Sequence, residues 1–228
     1  MLKDPPHILF NLPNRGSINT ECFKGFMSFA EFAIDNGITY DIEFLTGCSI
    51  ISLGRSMMFS KALNDPLWTH MMWIDDDIGW KPEDIMTLLI HDKDIIGGSY
   101  PKREYPIQAT HTPLSKGYKD EKLEEIKYLP TGFMMLSRKV CEDMAKHYSH
   151  LEFKYGDIEP PQEWPYYDVF GCFAYHDPDR PEVAKGTNGY YLTEDYAFCQ
   201  RARDIGYSIY LSKKINLSHT GLHTFKKC

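Results

Sequence analysis

The chain changes abruptly from apolar to acidic side chains within residues 70–80, HMMWIDDDIGW. The apolar run predicts a buried strand, and the glycine after the acids predicts an exit loop. Three adjacent carboxylates, Asp75, Asp76 and Asp77, repel one another, so we expect a cation beside them. On an extended chain Asp75 and Asp77 point to one side and Asp76 to the other. Oxygen donors at a strand end suit Mg²⁺ or Mn²⁺, and an acidic surface turn is the alternative.

The segments before this stretch predict two strand and helix units. We expect strands over residues 7–12, 38–44 and 71–74, with helices from Asn19 or Thr20 to Asn36 and over residues 49–63. Pro13 ends the first predicted strand, and Gly37 ends the first predicted helix. The resulting β-α-β-α-β order indicates a parallel sheet covered by helices.

The later sequence predicts more of the same fold around one irregular region. We expect helices over residues 82–90, 138–148 and 193–205, and strands over residues 94–98, 133–136, 208–211 and 215–218. Residues 150–191 are rich in proline and aromatic side chains without a clear period, which predicts a long ordered loop region over a cleft. The fold class is therefore α/β, with a mostly parallel central sheet flanked by helices.

Composition limits the classes of function. The 228 residues fit one domain, with 43% hydrophobic and 25% charged residues, as in ordinary globular proteins. A net charge of −7 argues against nucleic acid as the main partner. No apolar run approaches the roughly 18 residues of a membrane helix. The start is no signal peptide, and the scattered cysteines indicate reduced thiols, so we expect a cytoplasmic protein without a membrane span.

Two further groups of polar residues stand at predicted element ends. Thr193 can cap a helix whose first turn holds Glu194 and Asp195, and the helix dipole alone can explain carboxylates there. His219 stands where the last predicted strand ends, and a single histidine in such a place is usually structural. Because an oxygen-ligated divalent ion commonly accepts one imidazole, His219 is also a candidate ligand beside the aspartates.

In chain order these motifs form a recognisable set. The residues are Asp75-Asp76-Asp77 at a strand end, Thr193-Glu194-Asp195 at a helix start, Arg201 and Arg203 within that helix, Gly206-Tyr207 and His219. The set resembles the inverting GT-A glycosyltransferases over nearly the whole chain. Residues 97–101 and 131–134 are similar to the compact members from phages and large viruses. The resemblance implies one GT-A domain, with a nucleotide-binding half at roughly residues 1–110 and an acceptor-binding half at roughly residues 111–228.

The resemblance also implies an activity and a metal site. One sugar would move from a nucleotide-diphosphate sugar, expected to be a UDP-sugar, to the hydroxyl of a glycan or other acceptor with inversion. Mn²⁺ or Mg²⁺ would be held by Asp77, Asp75 and His219, with Asp75 also facing the ribose or sugar. Asp195 would be the general base and Glu194 would orient a substrate, although these two roles could be exchanged.

The nucleotide-binding residues follow from the same resemblance. Asp76 would support its two neighbours, and Pro13, Asn14 and Arg15 would contact the nucleotide from the loop after the first strand. Glu43 would do so from the second strand. Arg55 would lie near the base or phosphates, and its alternative is a solvated helix cation.

Other interpretations of the sequence remain open. The Lys102-Arg103 pair is expected either to close over a diphosphate or to be solvated. Five aromatic residues of the irregular region could stack on a sugar or form a small core of their own: Trp164, Tyr166, Tyr167, Phe170 and Tyr175. The alternatives in function are a sugar-phosphate nucleotidyltransferase and a non-catalytic nucleotide-binding or glycan-binding module. The nucleotidyltransferase requires a glycine-rich loop after the first strand, and here that loop has only Gly16.

Overall fold

The structure, a computed structural model, describes residues 5–104, 106–156, 163–178 and 189–221. The strands are β1 His7–Asn14, β2 Thr39–Thr46, β3 His70–Ile74, β4 Ile78–Gly79, β5 Ile95–Gly97, β6 Thr112–Pro113, β7 Leu123–Tyr128, β8 Phe133–Ser137, β9 Glu152–Phe153, β10 Tyr166–Tyr167, β11 Phe173–Tyr175, β12 Tyr190–Leu192, β13 Ile209–Ser212 and β14 Ser218–His219. The helices are α1 Thr20–Asn36, α2 Ile51–Ala62, α3 Pro82–His91, α4 Arg138–His147 and α5 Glu194–Asp204.

The central sheet has eight strands in the order β2-β1-β3-β8-β5-β13-β7-β6. β1 pairs in parallel with β2 and β3, and β5 pairs in parallel with β13. β8 and β7 run antiparallel to both of their neighbours. The other six strands therefore share one direction, which confirms the prediction of a mostly parallel sheet.

Each face of the sheet carries its own apolar core. Because successive strand residues face opposite sides, Leu9 of β1 joins the core on one face and Phe10 the core on the other. The first core includes buried residues of α2, α4 and α5, and the second includes buried residues of α1 and α3. Strands β1, β3 and β8 are buried almost throughout, since both of their faces are covered, and β1 includes the buried polar residues Asn11 and Asn14.

The predicted bounds of the first helix match those in the structure, and the predicted end of the first strand does not. Asn19 caps α1 by accepting from the N–H of Glu21, and Gly37 ends it at φ 65° in the left-handed region. The prediction that Pro13 ends β1 was wrong, because β1 continues to Asn14 alongside β2. β3 pairs with β1 only as far as Asn11, so one side of β1 is open at Pro13 and a missing N–H is tolerated.

The structure departs from the predictions in two further places. The sequence did not predict β7, because its residues, LEEIKY, mix charged with apolar side chains. In the structure those charges have partners on other elements, such as Asp177 for Lys127. The prediction of one long loop over residues 150–191 was wrong for its described parts. There β9 pairs with β10 and β11 pairs with β12, while residues 157–162 and 179–188 lie outside the described residues. None of the helices described is long and apolar enough to cross a bilayer.

Candidate functional site

A polar cavity of about 800 Å³ opens at the carboxyl ends of β1, β2 and β3. Its walls are the loops that follow β1 and β2, the start of α2, the three aspartates after β3, and the first residue of α5. The carboxyl edge of the parallel strands is where open α/β sheets bind ligands. The volume lies within the range of about 300–1,000 Å³ that small-molecule sites occupy.

Asp75 is held at the end of β3 by backbone and side-chain bonds. Its N–H donates to the carbonyl of Gly132 at 3.1 Å. Arg55 Nη2 donates to Asp75 Oδ1 at 2.7 Å, and the guanidinium lies over the ring of Trp73, 5.4 Å from its centroid. The Arg55 side chain is only 2% exposed. The predicted alternative of a solvated helix cation was therefore wrong for Arg55.

Asp77 meets His219 because β4 and β14 pair with each other, with His219 opposite Ile78. Asp77 Oδ1 lies 3.5 Å from His219 Nε2, and Asp77 Oδ2 lies 2.9 Å from Arg103 Nη1. Burial alone would raise the pKa of Asp77, but His219 and Arg103 outweigh it, and the pKa lies below its ordinary value. Burial would lower the pKa of His219, and its bonds to Asp77 and the Pro101 carbonyl raise it instead.

The alternation expected of an extended chain does not apply here, because Asp76 and Asp77 lie in a turn in which the N–H of Ile78 donates to the carbonyl of Asp75 at 3.2 Å. The carbonyl of Asp76 accepts from the N–H of Asn19 at 2.8 Å, which ties the cluster to the start of α1. Burial and the charge of Asp77 raise the pKa of Asp76, and the backbone N–H of Arg15 opposes the shift. All three aspartates line the cavity.

Of the predicted nucleotide residues, the structure brings Pro13, Asn14 and Arg15 to the cavity but not Glu43. Asn14 Oδ1 accepts from the N–H of Gly16 at 2.9 Å and from the Thr46 hydroxyl at 3.1 Å, so this side chain braces the loops after β1 and β2. Glu43 sits within β2 rather than at its end and pairs with Lys61 at 2.8 Å. The prediction of Glu43 at this site therefore finds no support in the geometry.

Glu194 and Asp195 begin α5 but occupy different surroundings. Glu194 lines the cavity, and its Oε1 lies 3.8 Å from Arg55 Nε. Asp195 does not line it, and its Oδ1 accepts from the Thr193 hydroxyl at 2.7 Å and the Tyr196 N–H at 2.8 Å. Thr193 occupies the cap position, yet its side chain makes no cap bond to the helix backbone. Burial raises the pKa of both carboxyl groups.

The sequence reasoning did not identify Tyr100 and Gly132 as site residues. A Cβ added to Gly132 would lie 2.3 Å from Tyr100 Oη and 2.8 Å from Asp75 Oδ2, so only glycine lets the hydroxyl and the carboxylate approach this backbone. The Tyr100 ring also packs edge-on against His219 with centroids 5.0 Å apart. Gly132 could be recognised in the sequence as a glycine, but its close neighbours Tyr100 and Asp75 come from two distant segments, so the sequence does not show why glycine is needed there.

The donor chemistry of Asp77 and His219 suits a divalent cation. His219 Nδ1 lies 2.8 Å from the Pro101 carbonyl, which leaves Nε2 towards Asp77, as in metal-binding imidazoles with a backbone partner. Asp75, the third predicted ligand, is bonded to Arg55. Among the described residues no group of three or more His, Cys, Asp or Glu is arranged to hold a metal. As placed, the site therefore presents two adjacent donors, and Asp75 stands apart from them.

The aromatic residues of the irregular region do not contribute to the cavity. None of Trp164, Tyr166, Tyr167, Phe170 and Tyr175 lines it. Phe170 is fully buried, stacks on Phe198 with centroids 4.6 Å apart and meets Trp73 edge-on at 5.3 Å. For Phe170 the alternative of a structural core is therefore confirmed.

The protein has a mixed α/β fold with a mostly parallel central sheet and a polar cavity at the carboxyl edge of that sheet. The structure of A197 from STIV superposes with a TM-score of 0.55 at 15% identity, covering 94% of this chain and 85% of that one. At that identity the likeness concerns the fold alone.

Two other solved structures match at lower TM-scores. A glycosyltransferase involved in the glycosylation of the major capsid of PBCV-1 matches with a TM-score of 0.37 and 15% identity, covering 91% of this chain and 93% of that chain. HddC from Yersinia pseudotuberculosis matches with a TM-score of 0.33 and 13% identity, covering 88% and 99%. Neither score supports an inference about this chain. No protein-family model and no curated protein sequence matches.

Proposed function

We propose that the protein is a metal-dependent glycosyltransferase that moves one sugar from a nucleotide-diphosphate sugar to an acceptor hydroxyl, with inversion at the anomeric carbon. One observation carries the proposal: the fold gathers Asp75–Asp77, Glu194 and His219, which are far apart in the chain, in one cavity large enough for a nucleotide sugar. These residues are part of the set on which the resemblance to the inverting GT-A enzymes rests.

The nucleotide would occupy the wall formed by Pro13, Asn14 and Arg15. Asn14 already bonds to both flanking loops and so serves to hold the wall rather than to contact the ligand. Asp75 would accept from a ribose or sugar hydroxyl at the end of β3. Arg103, whose side chain is 53% exposed, would exchange Asp77 for a phosphate oxygen, since guanidinium binds phosphate in a bidentate manner.

Asp77 and His219 would hold Mn²⁺ or Mg²⁺, with Asp75 as the expected third ligand. A bound divalent cation supplies Lewis-acid stabilisation of the charge that develops on a diphosphate leaving group. The Pro101 carbonyl fixes the ring orientation of His219. Replacement of Arg103 on Asp77 by the cation and the donor phosphates would keep the carboxylate compensated.

Asp195 would act as the general base. It would take the proton of the acceptor hydroxyl while that oxygen bonds to the anomeric carbon and the bond to the diphosphate breaks on the opposite face. Glu194 is the alternative base, because it lines the cavity and burial raises its pKa as well, with the Arg55 cation opposing the shift in both carboxyl groups. The bonds from Thr193 and Tyr196 orient the Asp195 carboxylate, and its burial raises its pKa, which strengthens it as a base.

A screen of nucleotide-diphosphate sugars tests the proposal. Thermal unfolding would be followed with each donor, with and without Mn²⁺, and a ligand at 100 times its Kd should add about 2.7 kcal/mol to the free energy of unfolding. We expect one donor to stabilise the protein only with the cation, and to be hydrolysed or transferred. NMR of the product would report the anomeric configuration.

Two outcomes would overturn the proposal. Release of pyrophosphate from a nucleoside triphosphate and a sugar phosphate would identify a nucleotidyltransferase. Donor binding without turnover on water or on any acceptor of a broad hydroxyl panel would identify a binding module.

A further inference from the structure

Arg55 is a buried cation between two carboxylates that belong to different parts of the chain. It lies on α2, bonds to Asp75 at the end of β3, and faces Glu194 at the start of α5. Asp75 belongs to the proposed donor side of the cavity, and Glu194 directly precedes the proposed base. Arg55 is therefore in a position to link the two sides.

The two contacts differ in closeness. Arg55 Nη2 is bonded to Asp75 Oδ1 at 2.7 Å, whereas Arg55 Nε lies 3.8 Å from Glu194 Oε1, beyond hydrogen-bond distance. Nε and Nη1 are both buried and have no hydrogen-bond partner. Buried N–H groups of a cation rarely stay unpaired, so the Glu194 side of the link can tighten by a small movement of α5.

The guanidinium group is suited to this position in a way that an ammonium group is not. It is planar and its nitrogens point to fixed directions, so one group can bond to Asp75 and face Glu194 at the same time. The ring of Trp73 lies 5.4 Å from the guanidinium and supports it from the sheet. At 2% exposure the side chain is less accessible to a bound phosphate than Arg103 is.

We propose that Arg55 is a positioning residue that sets the separation of Asp75 and Glu194, and with it the placement of the first turn of α5 that carries Asp195. This role rests on the proposed function, because it is the transfer reaction that requires a donor and a base at a fixed separation. Arg55 itself does not touch the reacting atoms.

The variant Arg55→Lys tests the proposal, because lysine keeps the charge but lacks the planar set of nitrogens whose spacing fixes the distance between the two carboxylates. We expect kcat to fall by about 10²-fold, since displacing a catalytic group by about 1 Å can cost that much, while the KM for the donor stays within about threefold. Arg138→Lys is the matched control. Arg138 also lies over a tryptophan, Trp68, and pairs with a carboxylate, Glu142, but stands outside the cavity, so its kcat should not change.

A second measurement does not depend on activity. Hydrogen exchange at the amides of Tyr196 and Ala197, which donate to Asp195 Oδ1 and to the Thr193 carbonyl, should become faster in Arg55→Lys than in the wild type and should be unchanged in Arg138→Lys. If no donor is turned over by the wild type, the proposed function fails, and this exchange still tests the link.

Four results would overturn the role of Arg55, three of them in Arg55→Lys alone. These are an unchanged kcat in Arg55→Lys, a loss confined to the KM for the donor, which would make Arg55 a donor ligand, or unchanged exchange at the start of α5. A fall in kcat that Arg138→Lys reproduces would point to general destabilisation and would also reject the proposal.

Discussion

Two buried cations of this protein, Arg55 and Lys127, meet their carboxylates in different ways. Arg55 lines the cavity, bonds to Asp75 on one side and keeps two N–H groups without a hydrogen-bond partner. Lys127 lies away from the cavity and bonds to Asp177, which is 1% exposed and also accepts from the Tyr190 hydroxyl at 3.2 Å. The hydrogen bonding of Arg55 is therefore incomplete, whereas the pair of Lys127 and Asp177 has a further hydrogen-bond partner.

The difference distinguishes the candidate functional site around Arg55 from a structural network around Lys127. We call Lys127, Asp177, Tyr190, Tyr128 and Gln200 the anchor. In it the Tyr128 hydroxyl donates to Gln200 Oε1 at 2.8 Å, so the polar groups of β7, β12 and α5 are joined. A satisfied buried network rigidifies its surroundings, whereas an incomplete one is open to a ligand or a movement. Substitutions at the cavity should therefore change activity, and substitutions in the anchor should change stability.

The largest expected effect is at the metal side of the cavity. Asp77→Ala removes the carboxylate that faces both His219 and Arg103, so we expect turnover to fall by about 10³-fold, the cost of losing one preorganised electrostatic group. Calorimetry in excess Mn²⁺ should detect no metal-dependent donor binding. Asp41→Ala, at an exposed carboxylate paired with His7, is the control. Unchanged donor affinity in Asp77→Ala would remove Asp77 from the site.

The proposed base comes next. Asp195→Asn should keep the donor affinity and lower kcat by about 10²–10³-fold, within the usual contribution of a general base. Burial raises the pKa of Asp195, and the base works only when ionised, so wild-type kcat should fall as the pH is lowered through a value above the ordinary pKa of about 3.9. The pH dependence of kcat measures this limb. Near-normal turnover in Asp195→Asn, with a large loss in Glu194→Gln, would transfer the role to Glu194.

For the anchor we expect a loss of stability with little loss of activity. Lys127→Met removes the ammonium group that pairs with the buried Asp177 carboxylate, so we expect the free energy of unfolding in urea to fall by about 3–5 kcal/mol. The kcat of the folded fraction should change little. The double variant Lys127→Met with Asp177→Asn should recover part of the loss. A stable Lys127→Met protein with a large loss of kcat would show that the anchor and the cavity are not separable.

The smallest expected effect is at Gly132, where we expect both a loss of stability and a change in activity. In Gly132→Ala the new methyl group would meet Tyr100 Oη and Asp75 Oδ2, and relieving such overpacking costs about 1–3 kcal/mol. The KM for the donor should rise because Asp75 must move. Adding Tyr100→Phe removes the contact with Tyr100 Oη but leaves those with the ring carbon Cζ and with Asp75 Oδ2, so it should restore only part of the stability. A Gly132→Ala protein with unchanged stability and KM would contradict the close approach.

Local sequence signals predicted most elements but not their pairing. Hydrophobic periodicity and caps placed α1 and α5 correctly, and the apolar run before Asp75 located β3. The same signals missed β7, whose charged residues resemble an exposed loop until their partners on other elements are known. Short strands such as β9 to β12 were missed for a similar reason, since two or three residues carry no readable period.

The candidate site was predicted as a set of residues, and only part of that set comes together. The acidic cluster, Glu194 and His219 line one cavity, whereas Glu43 does not reach it. Tyr100 and Gly132 were not predicted, because their roles depend on distances between segments that are remote in the chain. Glu194 lines the cavity and Asp195 does not, a difference between neighbouring residues that the sequence did not predict.

The amino-acid order alone established the alternation of strands and helices, the acidic strand end and the helix start with two carboxylates, because these features arise from bonds and contacts between residues near each other in the chain. The folded molecule decided that β8 enters the sheet antiparallel between β3 and β5, that β4 and β14 bring His219 to Asp77, and that Arg55 is buried between two carboxylates. Those arrangements depend on long-range packing and on charges that must find partners once water is excluded, and no local pattern specifies either.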